Sequence, residues 1–596
     1  MPSQSMKLSS PDRSAGTPRC AQSSRSRTLR GALVAVLTAL VTGCGSGMPT
    51  TGPVVYYTPA PPQVGSDLRV APRPPSVGAS QTLIVEGFLH AMSVYQTDYA
   101  VARQYLTPEA SGAWNPDAGV QIYSDGVPVT QVGDDIVLDA PLVGKLNARG
   151  VYRAATGPGG VRHDFKLVRD GQGEWRISNP PEGLLISRYL FTSGYLGIDF
   201  HYADPGGQVL VPDPAWLPGG DGQLLRVAQR QLAGPDEWLL PAVRATNPVG
   251  VLDATLDQGT AVVTLDPGAA ALGVDARHAL IGELVYTLTQ LPGVARVSVG
   301  AAGVTWSLPA VGTLTFTPAD LPELAPVSAG AAGDLFVATG EGVRAAAPRD
   351  ASPQPAPVAA GLHAPSAIAA SARLKLIAGV TDSGARIAVG GWSSDQVTDV
   401  RTGTQLLRPD FSRSEELWTA DASGPASFRV FAPGADGKLA AVKTLTPSAP
   451  KGTLVAFRVS PDGDRVAAVM DGAGGARVGL FRVVRTQGSV SIEGWRPITG
   501  ASPDAPNVWD VGWSGATELL LLVGQQDGTT GVTRTSQDAT RASDIGPSAQ
   551  TGLVELAVAP DQQPVARSKD DVAYRFEADF TWGLWITKVQ AVTFAN

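Results

Sequence analysis

Cysteine and histidine are scarce in this chain of 596 residues. There are two cysteines, Cys20 and Cys44, which exclude a framework of several disulfides. The five histidines are His90, His163, His201, His278 and His363. No two of them lie within one helical turn, so the ligand spacing that is typical of zinc sites is missing.

Long hydrophobic runs are also missing, apart from one near the start of the chain. It covers residues 32–41 and is interrupted only by Thr38. Such a run is too short for a helix that spans a bilayer, which takes about 20 residues. Three arginines precede it, Arg25, Arg27 and Arg30. This order of charged and then apolar residues is typical of a secretory signal peptide.

The residues that follow this run point to lipidation. Val41-Thr42-Gly43-Cys44 places small residues before a cysteine and resembles a bacterial lipobox. The resemblance implies that residues 1–43 form a lipoprotein signal peptide and that Cys44 receives a diacylglyceryl group. The alternative is an ordinary signal peptide followed by a chance cysteine. Met6 is an alternative start of translation and would give a shorter leader.

Processing at Cys44 would change the charge and the chemistry of the mature chain. Residues 1–43 hold six bases and one acid, so their removal takes the net charge from −8 to −13. A chain this acidic repels nucleic acids and gains nothing from anionic lipid head groups. The acyl chains would therefore anchor it to the cell membrane, on the extracytoplasmic side. No thiol would remain for disulfides or for nucleophilic catalysis.

Residues 44–79 are interpreted as a Pro-rich tether. Its eight prolines are Pro49, Pro53, Pro59, Pro61, Pro62, Pro72, Pro74 and Pro75. Pro-rich segments are extended, at about 3.1 Å per residue, so this one would reach on the order of 100 Å. It is either a spacer that reaches a partner or a passive linker.

Residues 80–204 predict a small α+β domain. Apolar residues recur there at helical spacing: Leu83, Ile84, Phe88, Leu89 and Met92. A second helix is expected at 99–106, and strands are expected at 120–123, 136–138, 150–154, 163–169 and 174–178. Asp170-Gly171-Gln172-Gly173 predicts a hairpin turn between the last two strands. Helices followed by an antiparallel sheet resemble the cone-shaped fold of nuclear-transport-factor-2-like (NTF2-like) domains.

Residues 205–310 predict a second α+β domain. We expect a helix at 223–232, a hairpin of strands 251–256 and 260–265, and a strand at 294–299. A further helix is expected to be capped by Asp275 and ended by Pro292-Gly293. One face of that helix is apolar, with Leu280, Ile281, Leu284, Val285 and Leu288. The stretch 250–306 resembles the GerMN domain of spore-germination and cell-envelope proteins, a mostly non-enzymatic family.

Residues 320–596 lack helical periodicity and predict an all-β domain. A short unit recurs, made of a serine or small residue, a turn and an apolar run. Its copies begin at Ser328, Ser371, Ser412, Ser460, Ser514 and Ala559. Steps of about 40–50 residues are typical of four-stranded propeller blades. We therefore predict a β-propeller of about six blades, with seven blades or a pair of β-sandwiches as alternatives.

No complete catalytic or phosphate-binding motif is present. Gly512-Trp513-Ser514-Gly515-Ala516 misses the G-x-S-x-G pattern by one position. Ser448-Ala449-Pro450-Lys451 matches S-x-x-K, but its proline favours a loop where that motif needs a helix. Asp462-Gly463-Asp464 lacks the spaced acids of a calcium loop and predicts a turn. We therefore predict no catalytic, cofactor-binding or metal-binding residues, and Cys44 is the one predicted site residue.

The order of these parts resembles the LpqB family of actinobacterial lipoproteins over nearly the whole mature chain. The resemblance implies a non-enzymatic protein that binds an MtrB-like sensor kinase outside the membrane and modulates envelope and division signalling. Two alternatives remain open. A pocket with convergent polar groups would favour a ligand-binding envelope receptor. Clustered histidines and carboxylates at the propeller mouth would favour an envelope hydrolase.

The lipobox gives the first prediction. Replacing Cys44 with alanine removes the only acylation candidate, so the protein should leave the membrane fraction and lose lipid label. Cell fractionation combined with labelling by a tagged fatty acid measures both. A Cys44→Ala protein that stays membrane-bound and labelled would contradict the lipoprotein interpretation.

Overall fold

A computed structural model describes most of the chain beyond the tether. The described residues are 71–155, 159–244, 248–309, 311–327, 334–346, 353–446, 450–472, 475–498, 507–524, 528–547, 552–578 and 580–596. The predicted signal peptide, Cys20, Cys44 and most of the tether lie outside them. No helix in the described ranges is long and apolar enough to cross a membrane.

The first domain begins with three helices, of which the first has a buried apolar face. They are α1 (Gln81–Ser93), α2 (Ala100–Arg103) and α3 (Pro108–Ala113). The hydroxyl of Ser80 accepts from the amide of Leu83 and so caps α1. The helix expected at 99–106 is shorter than predicted. Tyr99 has a left-handed backbone (φ 48°), and Leu106 leaves the helix to form a bridge with Ile177.

The sheet of this domain is organised around its long third strand. The strands are β1 (Val120–Tyr123), β2 (Thr130–Val132), β3 (Asp135–Leu146), β4 (Tyr152–Ala154), β5 (Gly160–Phe165), β6 (Leu167–Arg169), β7 (Trp175–Ile177) and β8 (Leu184–Ser187). β3 pairs with β1 and β4 along one half and with β2 and β5 along the other. The predicted hairpin is confirmed, because β6 pairs with β7 and the carboxylate of Asp170 accepts from two amides of the turn.

The second domain combines a long hairpin with a four-stranded sheet. The helix α4 (Arg188–Gly194), which packs in the core of the first domain, precedes it. The elements of the second domain are β9 (Tyr195–Ala203), β10 (Leu210–Pro218), α5 (Gln223–Leu232), β11 (Val251–Asp257), β12 (Thr260–Leu265), α6 (Val274–Leu288), β13 (Arg296–Ala301) and β14 (Val304–Thr305). The sheet order is β11-β12-β13-β14, and α6 connects the parallel pair β12 and β13. The β9–β10 hairpin shares one apolar core with this sheet and with α5 and α6.

Two sequence predictions in this domain need correction. Asp275 does not cap α6, because the helix begins at Val274 after Gly273 and Asp275 lies inside its first turn. The strand expected at 294–299 begins at Arg296, since the amide of Val294 donates to the carbonyl of Leu291 in a turn. The predicted helix 223–232 and the hairpin of β11 and β12 are confirmed.

The third domain consists of short antiparallel strands. The first twelve are β15 (Leu335–Thr339), β16 (Gly342–Ala346), β17 (Pro353–Val358), β18 (Ala367–Ser371), β19 (Leu376–Thr381), β20 (Arg386–Gly391), β21 (Val397–Thr402), β22 (Asp410–Phe411), β23 (Leu417–Thr419), β24 (Arg429–Pro433), β25 (Leu439–Leu445) and β26 (Thr453–Val459). The other twelve are β27 (Arg465–Gly472), β28 (Gly475–Thr486), β29 (Ser489–Pro497), β30 (Asn507–Trp513), β31 (Glu518–Gly524), β32 (Thr530–Ser536), β33 (Ala542–Asp544), β34 (Leu553–Ala557), β35 (Val565–Ser568), β36 (Val572–Ala578), β37 (Thr581–Thr587) and β38 (Ala591–Phe594).

These strands form a ring, which confirms the predicted propeller class. In the described residues they fall into six groups of four consecutive neighbours, each with one innermost strand. The innermost strands are β18, β22, β26, β30, β34 and β38, and each lies beside the next, with β38 beside β18. The last strand, β38, pairs with β15, so both ends of the domain build one blade. The outer strands β25 and β29 also pair, which joins two blades into one eight-stranded sheet.

The recurring unit of the sequence marks the turn between the first two strands of a blade. Ser371 is the last residue of the innermost strand β18, and Ser412, Ser460, Ser514 and Ala559 follow the innermost strands of their blades. The hydroxyls of Ser412 and Ser514 each donate to the carboxylate four residues later, at 3.2 and 2.8 Å. Ser460 donates to Asp462 at 2.7 Å, and its oxygen accepts from the amide of Arg465. The copy at Ser328 lies outside the described residues.

Ring closure gives the second prediction. Phe594 on β38 is 7% exposed and packs with residues of β15, β34 and β35. It therefore joins the blade that contains both ends of the domain to the blade of β34. Phe594→Ala should lower the free energy of unfolding by about 3–5 kcal/mol, the usual effect of emptying a buried aromatic site. Urea unfolding followed by tryptophan fluorescence measures it.

Phe580 provides the matched control for this substitution, because it is 53% exposed. Phe580→Ala should change the free energy of unfolding by less than about 0.5 kcal/mol. Equal effects of the two substitutions would contradict the closed ring.

Candidate functional site

The innermost strands of the ring surround an axial cavity of about 410 Å³. It opens on the face where the innermost strands end, and all six blades contribute residues to its lining. The polar lining residues are Ser371, Arg373, Arg408, Asp410, Ser412, Arg413, Glu415, Arg458, Thr593 and Asn596. The cavity is therefore a pocket with convergent polar groups.

Two arginines in the depth of this cavity are held by carboxylates from other blades. The Nη1 of Arg408 lies 3.4 Å from Asp510 and 3.3 Å from Glu555, and it donates to the carbonyl of Leu556 at 3.0 Å. The Nη2 of Arg458 lies 3.3 Å from the other carboxylate oxygen of Asp510. These side chains are at least 88% buried. Desolvated charges are tolerated only when paired, and the ring supplies the partners.

Further contacts complete this axial network. Arg567 donates to Glu555 at 2.8 Å. Asp410 accepts from the amides of Val459 and Phe411 at 2.8 and 3.0 Å. Burial raises the pKa of Asp410 above its usual range, and nearby Arg458 opposes the shift. The buried part of the network thus contains three arginines and three carboxyl groups. Arg567 also lies 3.6 Å from the half-exposed carboxylate of Asp571.

The mouth of the cavity has a different balance of positive and negative side chains. The Nε of Arg373 lies 2.5 Å from Glu415, and the Arg373 side chain is 76% exposed. Arg413 donates to two backbone carbonyls, those of Ala325 at 2.5 Å and Glu323 at 2.9 Å. These carbonyls belong to the segment that connects the second domain to the propeller. The mouth therefore carries two guanidinium groups and one carboxylate.

The second domain packs against the propeller on the face where the cavity opens, beside the two blades whose innermost strands are β26 and β30. Trp216 donates to Asp538 at 2.9 Å, and Thr517 donates to Asp199 at 3.0 Å. Arg482 donates to the carbonyl of Trp238 at 2.8 Å. These hydrogen bonds fix the second domain to the propeller. Their polar groups are partly buried, so leaving any of them unpaired would cost stability.

Burial at this junction and inside the second domain shifts the pKa values of several titratable groups. His201 on β9 is 6% exposed, and burial together with nearby Arg465 lowers its pKa to about 3. Burial raises the pKa of Asp199 to about 6 and that of Glu283 to about 7. Asp199 is also held by Thr517, and Glu283 accepts from the amide of Ala203 at 3.0 Å. All three groups therefore favour the uncharged form more strongly than they would in water.

The structure keeps the five histidines apart. His163 contacts the carbonyl of Asn179 at 2.9 Å, His278 contacts Glu323 at 3.1 Å, and His201 lies in the domain junction. His90 lies on α1 and His363 on the turn before β18, both exposed. Among the described residues, no group of three or more histidine, cysteine, aspartate or glutamate side chains is arranged to hold a metal ion. The axial cavity contains no histidine among its described lining residues.

The three partial motifs have structural roles where they are described. Ser514 donates to Glu518 at 2.8 Å in a turn between strands. Asp462 accepts from the amide of Asp464 at 2.9 Å and pairs with the buried guanidinium of Arg465, so the predicted Asp-Gly turn is confirmed. Ser448 lies outside the described residues.

Sequence analysis missed the axial network and the junction. A signal was present, since Arg458 and Asp510 interrupt otherwise apolar strands, β26 and β30. A charged residue inside an apolar strand predicts a buried partner. It does not name the partner, and Arg408 reaches Asp510 across 102 positions and Glu555 across 147.

Sequence comparisons identify the family. Residues 74–192 match the family described as "Lipoprotein LpqB, N-terminal domain", and residues 333–585 match "Lipoprotein LpqB beta-propeller domain". The chain belongs to the LpqB family of lipoproteins. Between these two parts, residues 199–305 match the family described as "Sporulation and spore germination". This match covers almost all of the stretch predicted to be a GerMN-like domain.

Relatives named lipoprotein LpqB align with this chain along most of their length. The LpqB lipoprotein of Cutibacterium acnes is 29% identical over 601 residues, covering 95% of this chain and 99% of that protein. The LpqB of Streptomyces avermitilis is 26% identical over 598 residues, covering 94% and 97%. Among solved structures, a chain of the nidogen/laminin complex matches with a TM-score of 0.34 and 10% identity, covering 44% of this chain and 98% of that chain. The last similarity is too low to bear on function.

The junction gives the third prediction. A folded-state pKa near 3 keeps His201 neutral, whereas in the unfolded chain it takes up a proton below about pH 6.5. Its contribution to stability is therefore complete above pH 6.5 and is lost as the pH falls toward 3. Between pH 6.5 and 4.5 the wild type should lose about 2–3 kcal/mol more than His201→Gln, which cannot titrate.

Urea unfolding of both proteins at a series of pH values measures this difference. Asp199 and Glu283 have raised pKa values, so their stabilising contribution has the opposite sign and is lost as the pH rises. Both groups are present in the wild type and the variant, so their effect cancels in the comparison. Parallel pH profiles for the two proteins would contradict a buried neutral His201.

Proposed function

We propose that this LpqB lipoprotein is a non-enzymatic binding protein of the cell envelope. Lipid on Cys44 holds it on the extracytoplasmic side of the membrane, where it binds the outer domain of an MtrB-like sensor kinase and modulates envelope and division signalling. The proposal is supported by the matches to LpqB lipoproteins over nearly the whole length of the chain.

One face of the propeller is suited to such a contact. The second domain and the connecting segment lie on the face where the innermost strands end. On the opposite face, where these strands begin, Trp509 is 38% exposed and Val554 is 42% exposed. Exposed tryptophan is unusual, and tryptophan is enriched among the residues that dominate binding energy at protein interfaces. We name this surface, around Trp509 and Val554, the open face.

A lipid anchor strengthens a weak contact. Confinement to the same membrane turns the encounter with the kinase into a nearly intramolecular event and so raises the effective concentration of each partner. An interface of modest area would then be sufficient. The predicted tether supplies the reach, and residues 70–596 form one compact unit that presents the open face.

A ligand-binding receptor is the second candidate. The specific observation that favours it is the axial cavity, where polar side chains of several blades converge. The two functions are compatible, because the cavity opens on one face of the propeller and the proposed kinase contact lies on the other. The hydrolase alternative has no comparable support among the described residues.

The open face gives the fourth prediction. Trp509→Ala should weaken binding of the mature chain, purified in detergent, to the purified outer domain of the kinase by roughly 30-fold, as expected for an interface hot spot. Leu584→Ala is the control, since Leu584 is 66% exposed on β37 at the outer edge of another blade. It should change the affinity less than about twofold. Biolayer interferometry measures both, and equal affinities of Trp509→Ala and wild type would contradict the assignment of the open face.

A further inference from the structure

The axial cavity has the size and enclosure of a small-ligand site. Its volume of about 410 Å³ lies at the lower end of the range of about 300–1,000 Å³ that is usual for ligand pockets. Its walls are formed by side chains from every blade, so the ring holds them in fixed positions. A ligand of monosaccharide size matches a pocket in this part of the range.

The charge of the cavity favours an anion. The deep network is balanced, with Arg408, Arg458 and Arg567 against three carboxyl groups. At the mouth, Arg373 and Arg413 line the cavity together with one acidic side chain, Glu415. Arginine is well suited to carboxylates and phosphates, because its planar fork donates two parallel hydrogen bonds.

The availability of the Arg373 guanidinium supports this interpretation. Its side chain is 76% exposed, and Glu415 occupies its Nε, at 2.5 Å. Arg413 donates to the carbonyls of Glu323 and Ala325, and no ion pair of its guanidinium group is described. The carboxylates of Asp462 and Asp204 act on its charge from a greater distance. A ligand anion at the mouth would meet both guanidinium groups.

The rest of the lining suits the body of a small organic molecule. Apolar side chains alternate with the charged ones around the wall: Val327, Val459, Pro461, Val558, Pro560 and Phe594. Ser371, Ser412 and Asn596 add neutral polar groups. This combination of apolar walls with a few polar groups is typical of ligand pockets. The two arginines at the mouth also contrast with the chain as a whole, which has a net charge of −8.

We propose that the axial cavity binds a small organic anion, with one carboxylate or phosphate group on a body of monosaccharide size. The anionic group lies at the mouth, against Arg373 and Arg413, and the body lies against the apolar wall. This site depends on the propeller alone, so it does not require the proposed contact with a sensor kinase.

Three probes of similar size test the charge requirement. Glucose is neutral, glucuronate carries a carboxylate, and glucose 6-phosphate carries a phosphate. Isothermal titration calorimetry of the mature chain in detergent should show binding of at least one anion, at least tenfold tighter than glucose, with affinity falling as salt is raised. Preference for one anion assigns the site to carboxylates or to phosphates. Absence of binding by both anions, or equal binding of glucose, would overturn the proposal.

Two substitutions test the location. Arg373→Gln removes the exposed guanidinium and should weaken binding of the preferred anion about tenfold, the effect of losing one charge-assisted hydrogen bond. Arg477→Gln is the matched control, because Arg477 is exposed on β28 and does not line the cavity. It should leave the affinity unchanged.

Ala372→Trp provides a second test that keeps every charge. Ala372 lines the cavity and is partly exposed, so a bulky side chain there should fill the mouth and abolish binding. The thermal midpoint of each variant confirms that it is folded. Anion affinity that is unchanged in a folded Arg373→Gln protein would place the binding elsewhere and overturn the assignment.

Discussion

The pairing of β38 with β15 is the constraint on which the propeller depends. These strands come from opposite ends of the domain, and their hydrogen bonds convert a series of hairpins into a ring. Closure brings the innermost strands together around one axis, and it protects edges that would otherwise be free to pair with other chains. Without it, the axial cavity would have no continuous wall, since Phe594 and Asn596 belong to that wall.

The closed ring also explains where the buried charges are. Arg408, Asp510 and Glu555 are far apart in sequence, yet each lies on or beside an innermost strand, and the ring points them to the same axis. Buried ion pairs contribute little net stability, because desolvation offsets most of their attraction. Their consequence here is electrostatic. The charges deep in the cavity are paired, so the anion site proposed at the mouth depends on Arg373 and Arg413.

The sequence predicted the features that depend on local pattern. The hairpin at Asp170, the pairing of β11 with β12 and the turn at Asp462 follow from turn residues and alternation within a few positions. The repeat spacing predicted the propeller because five of the six described blades have a serine or small residue where the innermost strand ends and the chain turns. The errors also have local causes. The start of α6 and the end of α2 depend on backbone turns and a bridge to Ile177, which periodicity does not show.

The axial network and the domain junction were beyond prediction from one sequence, because their partners are distant in the chain. Trp216 meets Asp538 across 322 positions, and Thr517 meets Asp199 across 318. Burial then sets the pKa values of His201, Asp199 and Glu283, and burial is known only once the domains are packed. The proposed function divides in the same way. The predicted lipidation site is a local sequence motif, whereas the proposed docking face is formed by residues from different blades.

Site-specific photo-crosslinking in living cells tests the central claim most directly. A photoreactive amino acid would replace Val554, which lies beside Trp509 on the open face, and, in a second strain, Leu584 on the blade edge, with the chain lipidated and at its natural level. Crosslinked partners are then identified by mass spectrometry. The proposal predicts that a membrane sensor kinase is captured from position 554 and at most weakly from position 584. Absence of a sensor kinase at position 554, or equal capture at both positions, would contradict it.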